Sequence, residues 1–250
     1  MIRRTRPQAL RAAAAGAVVL GAVSLSGCGG TDDAAESVDH EPTTAATTSA
    51  ATAAATSGAT PSPEVTGGTD ADGTLPPWAR PLVVKGTKLT TVKAGAVSVD
   101  VYQVGTETAS KSGQFVDPAT NKPIIAEGDP LVFVNYVVKN TGTEPIALGF
   151  SLVDVSPRYD DWKYVQGMDS VVDQTLFEKV GINSDALDPG KGPHKAPFTL
   201  APGQSYSVGE NFRYEKGQGI SFEVSYVPVD AAGKLLHDQK AEATGKAKIG

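Results

Sequence analysis

Leu131-Val132-Phe133-Val134-Asn135-Tyr136-Val137-Val138 is apolar at almost every position. Its four valines and two aromatic rings predict a strand rather than a helix. Successive side chains of a strand point to opposite faces. Apolar residues on both faces therefore predict a central strand that is covered on both sides. Moving outward, Val97, Val99 and Val101 alternate with Ser98, Asp100 and Tyr102, the pattern of a half-buried strand. Asn140-Thr141-Gly142-Thr143 reads as a turn. Beyond it Ile146, Leu148, Phe150 and Leu152 alternate, which predicts a hairpin with the central strand. Leu200-Ala201-Pro202-Gly203-Gln204 predicts a second sharp turn, leading into Tyr206 and Val208. Lys216-Gly217-Gln218-Gly219 predicts a third, before the alternating strand of Ile220, Phe222, Val224 and Tyr226.

Asp230-Ala231-Ala232-Gly233 is expected to turn into a last short strand at 234–238, with a frayed, charged tail over 239–250. One helix interrupts the strands. Ser170 is expected to cap residues 171–180, with Asp173 in the capping-box position and Gly181 as the stop. Val172, Leu176 and Val180 would share one face. Short antiparallel strands with little helix predict a mainly β fold, a β-sandwich with a short inserted helix. Loops are expected at 105–130 and 181–197.

The sandwich is expected to occupy 76–250. Pro76-Pro77-Trp78-Ala79-Arg80-Pro81 gives a stiff entry, with Trp78 packing against the domain edge. Residues 28–75 have a different composition. Alanine, threonine, serine and proline dominate, with eight Asp and Glu, no Lys or Arg and no aromatic residue. Such a segment buries too little apolar surface to offset the entropy of ordering. It predicts a disordered acidic tether averaging roughly 35–40 Å end to end. O-glycosylation of its Thr and Ser is a compositional expectation only.

The first 27 residues have the order of a secretory signal peptide: Arg3, Arg4, Arg6 and Arg11, then an uncharged apolar run at 12–25, then small residues. The run is too short for a comfortable membrane span. Thr5-Arg6-Pro7 after Arg3-Arg4 fits twin-arginine export poorly and favours the general route. The ending Leu25-Ser26-Gly27-Cys28 resembles the lipobox of bacterial lipoproteins, of the Gram-positive, actinobacterial type. The resemblance implies cleavage between Gly27 and Cys28. It also implies acylation of the Cys28 thiol with palmitate-class chains, which anchors the chain to the extracytoplasmic face of the cell membrane. A second resemblance covers 97–228. The stretch from Val132 through Asn140-Thr141-Gly142-Thr143-Glu144-Pro145, the later Asp154 and Asp161, and the Leu-x-Pro-Gly-x-Ser element ending at Ser205 are similar to secreted immunoglobulin-like domains of unknown function in actinobacterial and firmicute lipoproteins. This implies an immunoglobulin-like sandwich and no particular chemistry.

Composition excludes several classes. The chain holds 22 Lys and Arg against 28 Asp and Glu, and the four arginines of the signal segment would be removed. A nucleic-acid binder shows the opposite balance. Cys28 is the sole cysteine, so neither an intramolecular disulfide nor a C-x-x-C zinc site can form. His40, His194 and His237 have no partner at ligand spacing, and Met1 and Met168 make no copper set. No G-x-S-x-G element occurs. No cofactor or metal is expected.

Two clusters draw attention. Asp154, Asp160, Asp161, Asp169 and Asp173 surround Trp162 and Tyr164. They could be a sugar-hydrolase pair or calcium ligands, but Asp160 and Asp161 are adjacent, which on a strand sends them to opposite faces. A solvated turn fits better. Arg158, Tyr159, Asp161, Trp162 and Tyr164 are a candidate interaction loop, since aromatics and arginine dominate binding surfaces, but Trp162 and Tyr164 read first as the next core strand. The functional expectation is a non-enzymatic lipoprotein. It would be membrane-bound through Cys28 and display a sandwich to an unidentified protein or cell-envelope partner. The alternatives are an envelope hydrolase or metal-dependent enzyme using the carboxylates of 154–173, and an accessory subunit of a membrane complex.

Overall fold

The apolar run at 131–138 lies in an inner strand of a four-stranded sheet. The computed structural model describes residues 75–191 and 194–250. The signal segment 1–27, Cys28 and the tether up to residue 74 lie outside the described residues. In chain order the strands are β1 (Thr87–Ala94), β2 (Val97–Thr108), β3 (Val116–Asp117), β4 (Lys122–Pro123), β5 (Pro130–Asn140), β6 (Ile146–Leu148) and β7 (Asp154–Tyr159). The helix α1 (Gln174–Val180) follows, then β8 (Phe198–Leu200), β9 (Ser205–Arg213), β10 (Gly219–Tyr226) and β11 (Ala241–Lys248).

The seven long strands divide into antiparallel sheets ordered β1-β2-β5-β9 and β11-β10-β7. Four and three is the strand count of a constant-type immunoglobulin sandwich. The inner faces meet in one core. Val99 and Val101 of β2 and Val134, Tyr136 and Val138 of β5 join Ile220, Phe222 and Val224 of β10 there. Tyr136 meets Phe222 edge-on at 6.2 Å, and Tyr159 meets Phe212 at 5.6 Å. Burial of each such side chain stabilises the fold by about 1.5–3 kcal/mol. Trp78 belongs to this core: its Nε1–H donates to the Thr199 carbonyl at 3.0 Å, and its ring packs on Phe198 and Tyr206.

The residues of opposite parity on β5 explain its second apolar face. Leu131 and Phe133 point away from the sandwich into a smaller core with Ile125, Val171, Leu176, Phe177 and Val180. Phe133 meets Phe177 edge-on at 5.2 Å. The helix is shorter than expected because Asp173, not Ser170, is its cap. Asp173 has an extended backbone and accepts the Thr175 N–H at 3.0 Å. The preceding Val171 is held instead by Asn211, whose side-chain amide bonds both the N–H and the carbonyl of Val171 at 2.9 Å. Val172 is consequently 66% exposed, not on the buried face. Gly181 does end the helix, at φ 70°, a conformation that favours glycine.

Three other expectations are corrected. The central strand does not form a hairpin with 146–152. It pairs with β2 and β9, whereas β6 pairs with β8. Asn140 redirects the chain: its side-chain amide donates to the Glu144 and Leu200 carbonyls and its Oδ1 accepts from Gly142 N–H. The expected loop at 105–130 contains the end of β2 and the small β3–β4 hairpin. The last strand is not at 234–238, and the tail is not frayed. β11 pairs with β10 from Ala241 to Lys248, and Ile249 is fully buried. Ala243 and Ala247 pack against the main core. At Gly245 a Cβ would stand 2.5 Å from Val92 Cγ2, so the strand lies close upon β1.

Candidate functional site

β7 leads into the site. Pro157 and Tyr159 are buried, and the intervening Arg158 is exposed. Pairing with β10 ends at Tyr159↔Ile220, and the Trp162 N–H then bonds the Tyr159 carbonyl at 3.1 Å, turning the chain out of the sheet. Trp162 and Tyr164 are therefore not a core strand. They sit half-buried on a loop, edge-to-face with centroids 4.9 Å apart. The loop holds its own shape. Trp162 Nε1–H donates to the Gln166 carbonyl at 2.9 Å, and the Arg158 guanidinium donates to the Tyr164 carbonyl.

The β3–β4 hairpin supplies the facing wall. Asp117-Pro118 opens its turn and Asn121 closes it at φ 53°, a conformation that asparagine tolerates. Asp117 accepts from Tyr164 Oη–H at 2.7 Å, from the Ala119 N–H at 2.8 Å and from Lys163 Nζ at 3.2 Å. These bonds, the tyrosine's first, hold its carboxyl at about 2, well below the usual carboxylate range. The same bond raises the Tyr164 phenol. Lys163 Nζ also lies 5.0 Å from the Tyr164 ring centroid. An open cleft of about 400 Å3 lies between loop and hairpin, with Lys122, Lys163 and Arg213 interspersed with Asp117, Asp161 and Glu215. Such a surface offers aromatic contact and charges of both signs on a rigid frame.

Of the five residues singled out in the sequence, Asp161, Trp162 and Tyr164 line this cleft and Arg158 braces it. Tyr159 does not take part. It is 2% exposed, its hydroxyl donates to the Arg213 carbonyl at 2.8 Å, and burial pushes its phenol up. Asp117, Lys122 and Arg213 were not foreseen. The Asp-Pro turn was the available signal for Asp117.

The carboxylates of 154–173 do not converge. Asp169 is 2% exposed and accepts the N–H groups of Gln114, Phe115 and Ser170, tying the loop to the 105–130 segment. Asp173 caps α1 and accepts from the Ser110 hydroxyl. Asp161 lines the Trp162 cleft, and Asp154 lines a different one. His194 Nε2 lies 2.8 Å from the Asp188 carbonyl. Among the described residues no three His, Cys, Asp or Glu side chains gather as a metal site would require, and no helix is long and apolar enough to cross a membrane.

No protein-family model matches the sequence, and no curated protein matches it. Solved structures do align with it, each over 66% of this chain. The yjhA protein of Bacillus subtilis aligns over 99% of its own length at 15% identity and a TM-score of 0.37. The ycdA protein of Bacillus subtilis, described as a "putative lipoprotein", aligns over 39% of its length at 18% identity and a TM-score of 0.31. A functionally unknown protein of Listeria monocytogenes aligns over 83% of its length at 12% identity and a TM-score of 0.34.

Proposed function

We propose that this chain is a Gram-positive lipoprotein, anchored through acylated Cys28 to the outer face of the cell membrane, whose sandwich presents a non-catalytic binding surface to a cell-envelope partner. One observation carries the binding role. Trp162 and Tyr164 leave the sheet and stand at an open cleft, braced by Arg158 and Asp117. Trp162 packs partly on the main core and Tyr164 is tied to Asp117, so two aromatic rings are held at the cleft by internal contacts, which lowers the ordering cost of binding. The mixture of lysine, arginine and carboxylates around them suits a polar, charged partner surface. The anchor rests on the order of basic segment, apolar run and Leu25-Ser26-Gly27-Cys28.

Chemical cross-linking on intact cells tests this, with mass spectrometry of the captured proteins. Wild type should capture one envelope protein. Trp162→Ala/Tyr164→Ala should lose it while keeping the β-sheet circular dichroism spectrum, with a lowered thermal midpoint because Trp162 packs on the main core and Tyr164 bonds Asp117. Cys28→Ala should lose it by leaving the membrane fraction. Undiminished capture by the double variant contradicts the assigned surface.

A further inference from the structure

A second cleft lies at the start of β7, lined by residues 150–155, by β9 and by the segment 184–186. Tyr206, Val208, Glu210 and Phe212 alternate along β9 on the face that lines the main core, or on its continuation. Three of these suit that face and Glu210 does not. Its Oε2 accepts the Tyr136 Oη–H at 2.7 Å. Among the described residues Tyr136 is the one protein donor to this carboxylate, and Glu210 lines the cleft. The cavity, about 280 Å3, is lined by the rings of Tyr136, Phe150 and Tyr206 and by the carboxylates Glu210, Asp154 and Asp185, with no Lys, Arg or His.

The rim is held in place. Phe150 is 63% exposed, yet its ring packs edge-on against Phe198 at 5.2 Å, which in turn meets Trp78. The Tyr206 hydroxyl accepts the Val153 N–H at 3.1 Å, and Leu152 between these anchors adopts φ 52°. A leucine in that region is strained, and such strain gathers at ligand clamps.

The geometry points to a binding site for a small amphipathic amine. Its ammonium group would bond Glu210 Oε1 and Asp154, and its apolar body would lie between Phe150 and Tyr206. Aromatic faces and carboxylates both attract a cation. Among the described residues Glu210, Asp154 and Asp185 accept only neutral donors, from Tyr136, Ser156 and the Leu187 N–H, and no cationic side chain lines the cleft. The volume is below that of drug-sized pockets, which limits the body to about one ring. Glu210 is otherwise unexplained. Burial, opposed by the Tyr136 bond and reinforced by nearby Asp154, pushes its carboxyl up to about 7. A bound ammonium would restore its charge. Tyr136 from β5 and Asp154 from β7 act on it, and Tyr206 from β9 and Asp185 from the segment after α1 line the same cleft.

Calorimetric titration of the full chain with benzylamine, and with benzyl alcohol as its neutral isostere, tests the assignment. At about pH 8 benzylamine should saturate one site and bind at least about tenfold more tightly than the alcohol. At about pH 5.5, with Glu210 protonated, that preference should shrink about tenfold. Glu210→Gln should abolish the preference, and Phe150→Ala, at an exposed position, should weaken both probes. No saturable benzylamine binding, equal affinity for the two probes, or a preference that survives in Glu210→Gln would overturn it.

Discussion

Asp117 and Glu210 are carboxylates pushed in opposite directions, for reasons that each predict a pH response. Asp117 is held down to about 2 by Tyr164, Ala119 and Lys163. Its bonds therefore support the fold above the ordinary carboxylate range and are lost as pH falls toward 2. Titration of its carboxyl carbon by NMR should show a midpoint near 2. Tyr164→Phe should raise that midpoint toward the ordinary value of 3.8, and an unmoved midpoint would mean the tyrosine bond is not made. Glu210 runs the other way. Folded, it keeps a proton up to about 7, whereas the unfolded chain releases it near 4.5. Stability contributed by this group is greatest below 4.5 and declines as pH rises through 7, by roughly 3 kcal/mol in all. Denaturant titrations of wild type and Glu210→Gln should converge at low pH and separate near neutrality, with the glutamine variant the more stable. Parallel curves across that window would show that the carboxyl is not buried as described. Neither behaviour is legible in sequence. Tyr164 lies 47 residues from Asp117, and Gly209-Glu210-Asn211 reads as the polar end of a strand.

At the scale of elements, β11 is the most informative. Gly245→Val would drive a side chain into Val92 and should cost about 1–3 kcal/mol by overpacking, whereas Thr244→Val, on the exposed face, should change stability by under about 0.5 kcal/mol. Equal thermal midpoints for the two variants would mean that β11 does not pack on β1. Asp173→Ala should cost about 1 kcal/mol through loss of the helix cap, measured by chemical denaturation, and Ser170→Ala far less. β5 was legible because valines and aromatics fill almost every position, β10 because they alternate, and the glycine stop of α1 because a C-terminal glycine has a conformational reason. β11 was not, since alanine and glycine carry its buried face and scarcely register as hydrophobic periodicity. The mistaken hairpin has a different origin. The alternation at 146–152 marks a strand that ends already at Leu148, with Phe150 and Leu152 outside it, and its partner β8 lies next to buried Asn140, which bonds Leu200 sixty residues away. The site shows the same division. Trp162 and Tyr164 stood out as aromatics among acids, while the hairpin that completes their cleft lay inside what read as loop.

The whole molecule has two parts: a two-sheet β fold carrying a loop cleft on its surface, and an N-terminal segment whose Leu25-Ser26-Gly27-Cys28 resembles a lipobox. Growth with an alkyne-bearing fatty acid should label the wild-type chain and leave Cys28→Ala unlabelled; label on both would place any acyl group elsewhere. Val165, next to Tyr164 on the Trp162 loop, is 97% exposed and can carry a probe. A photo-activatable amino acid there, on cells expressing the full chain, should yield one discrete adduct. The same amino acid at Lys93, exposed on β1, should yield none. A single adduct confined to position 165 is the predicted result. No adduct at 165, or the same adduct from both positions, would contradict the cleft as the contact surface.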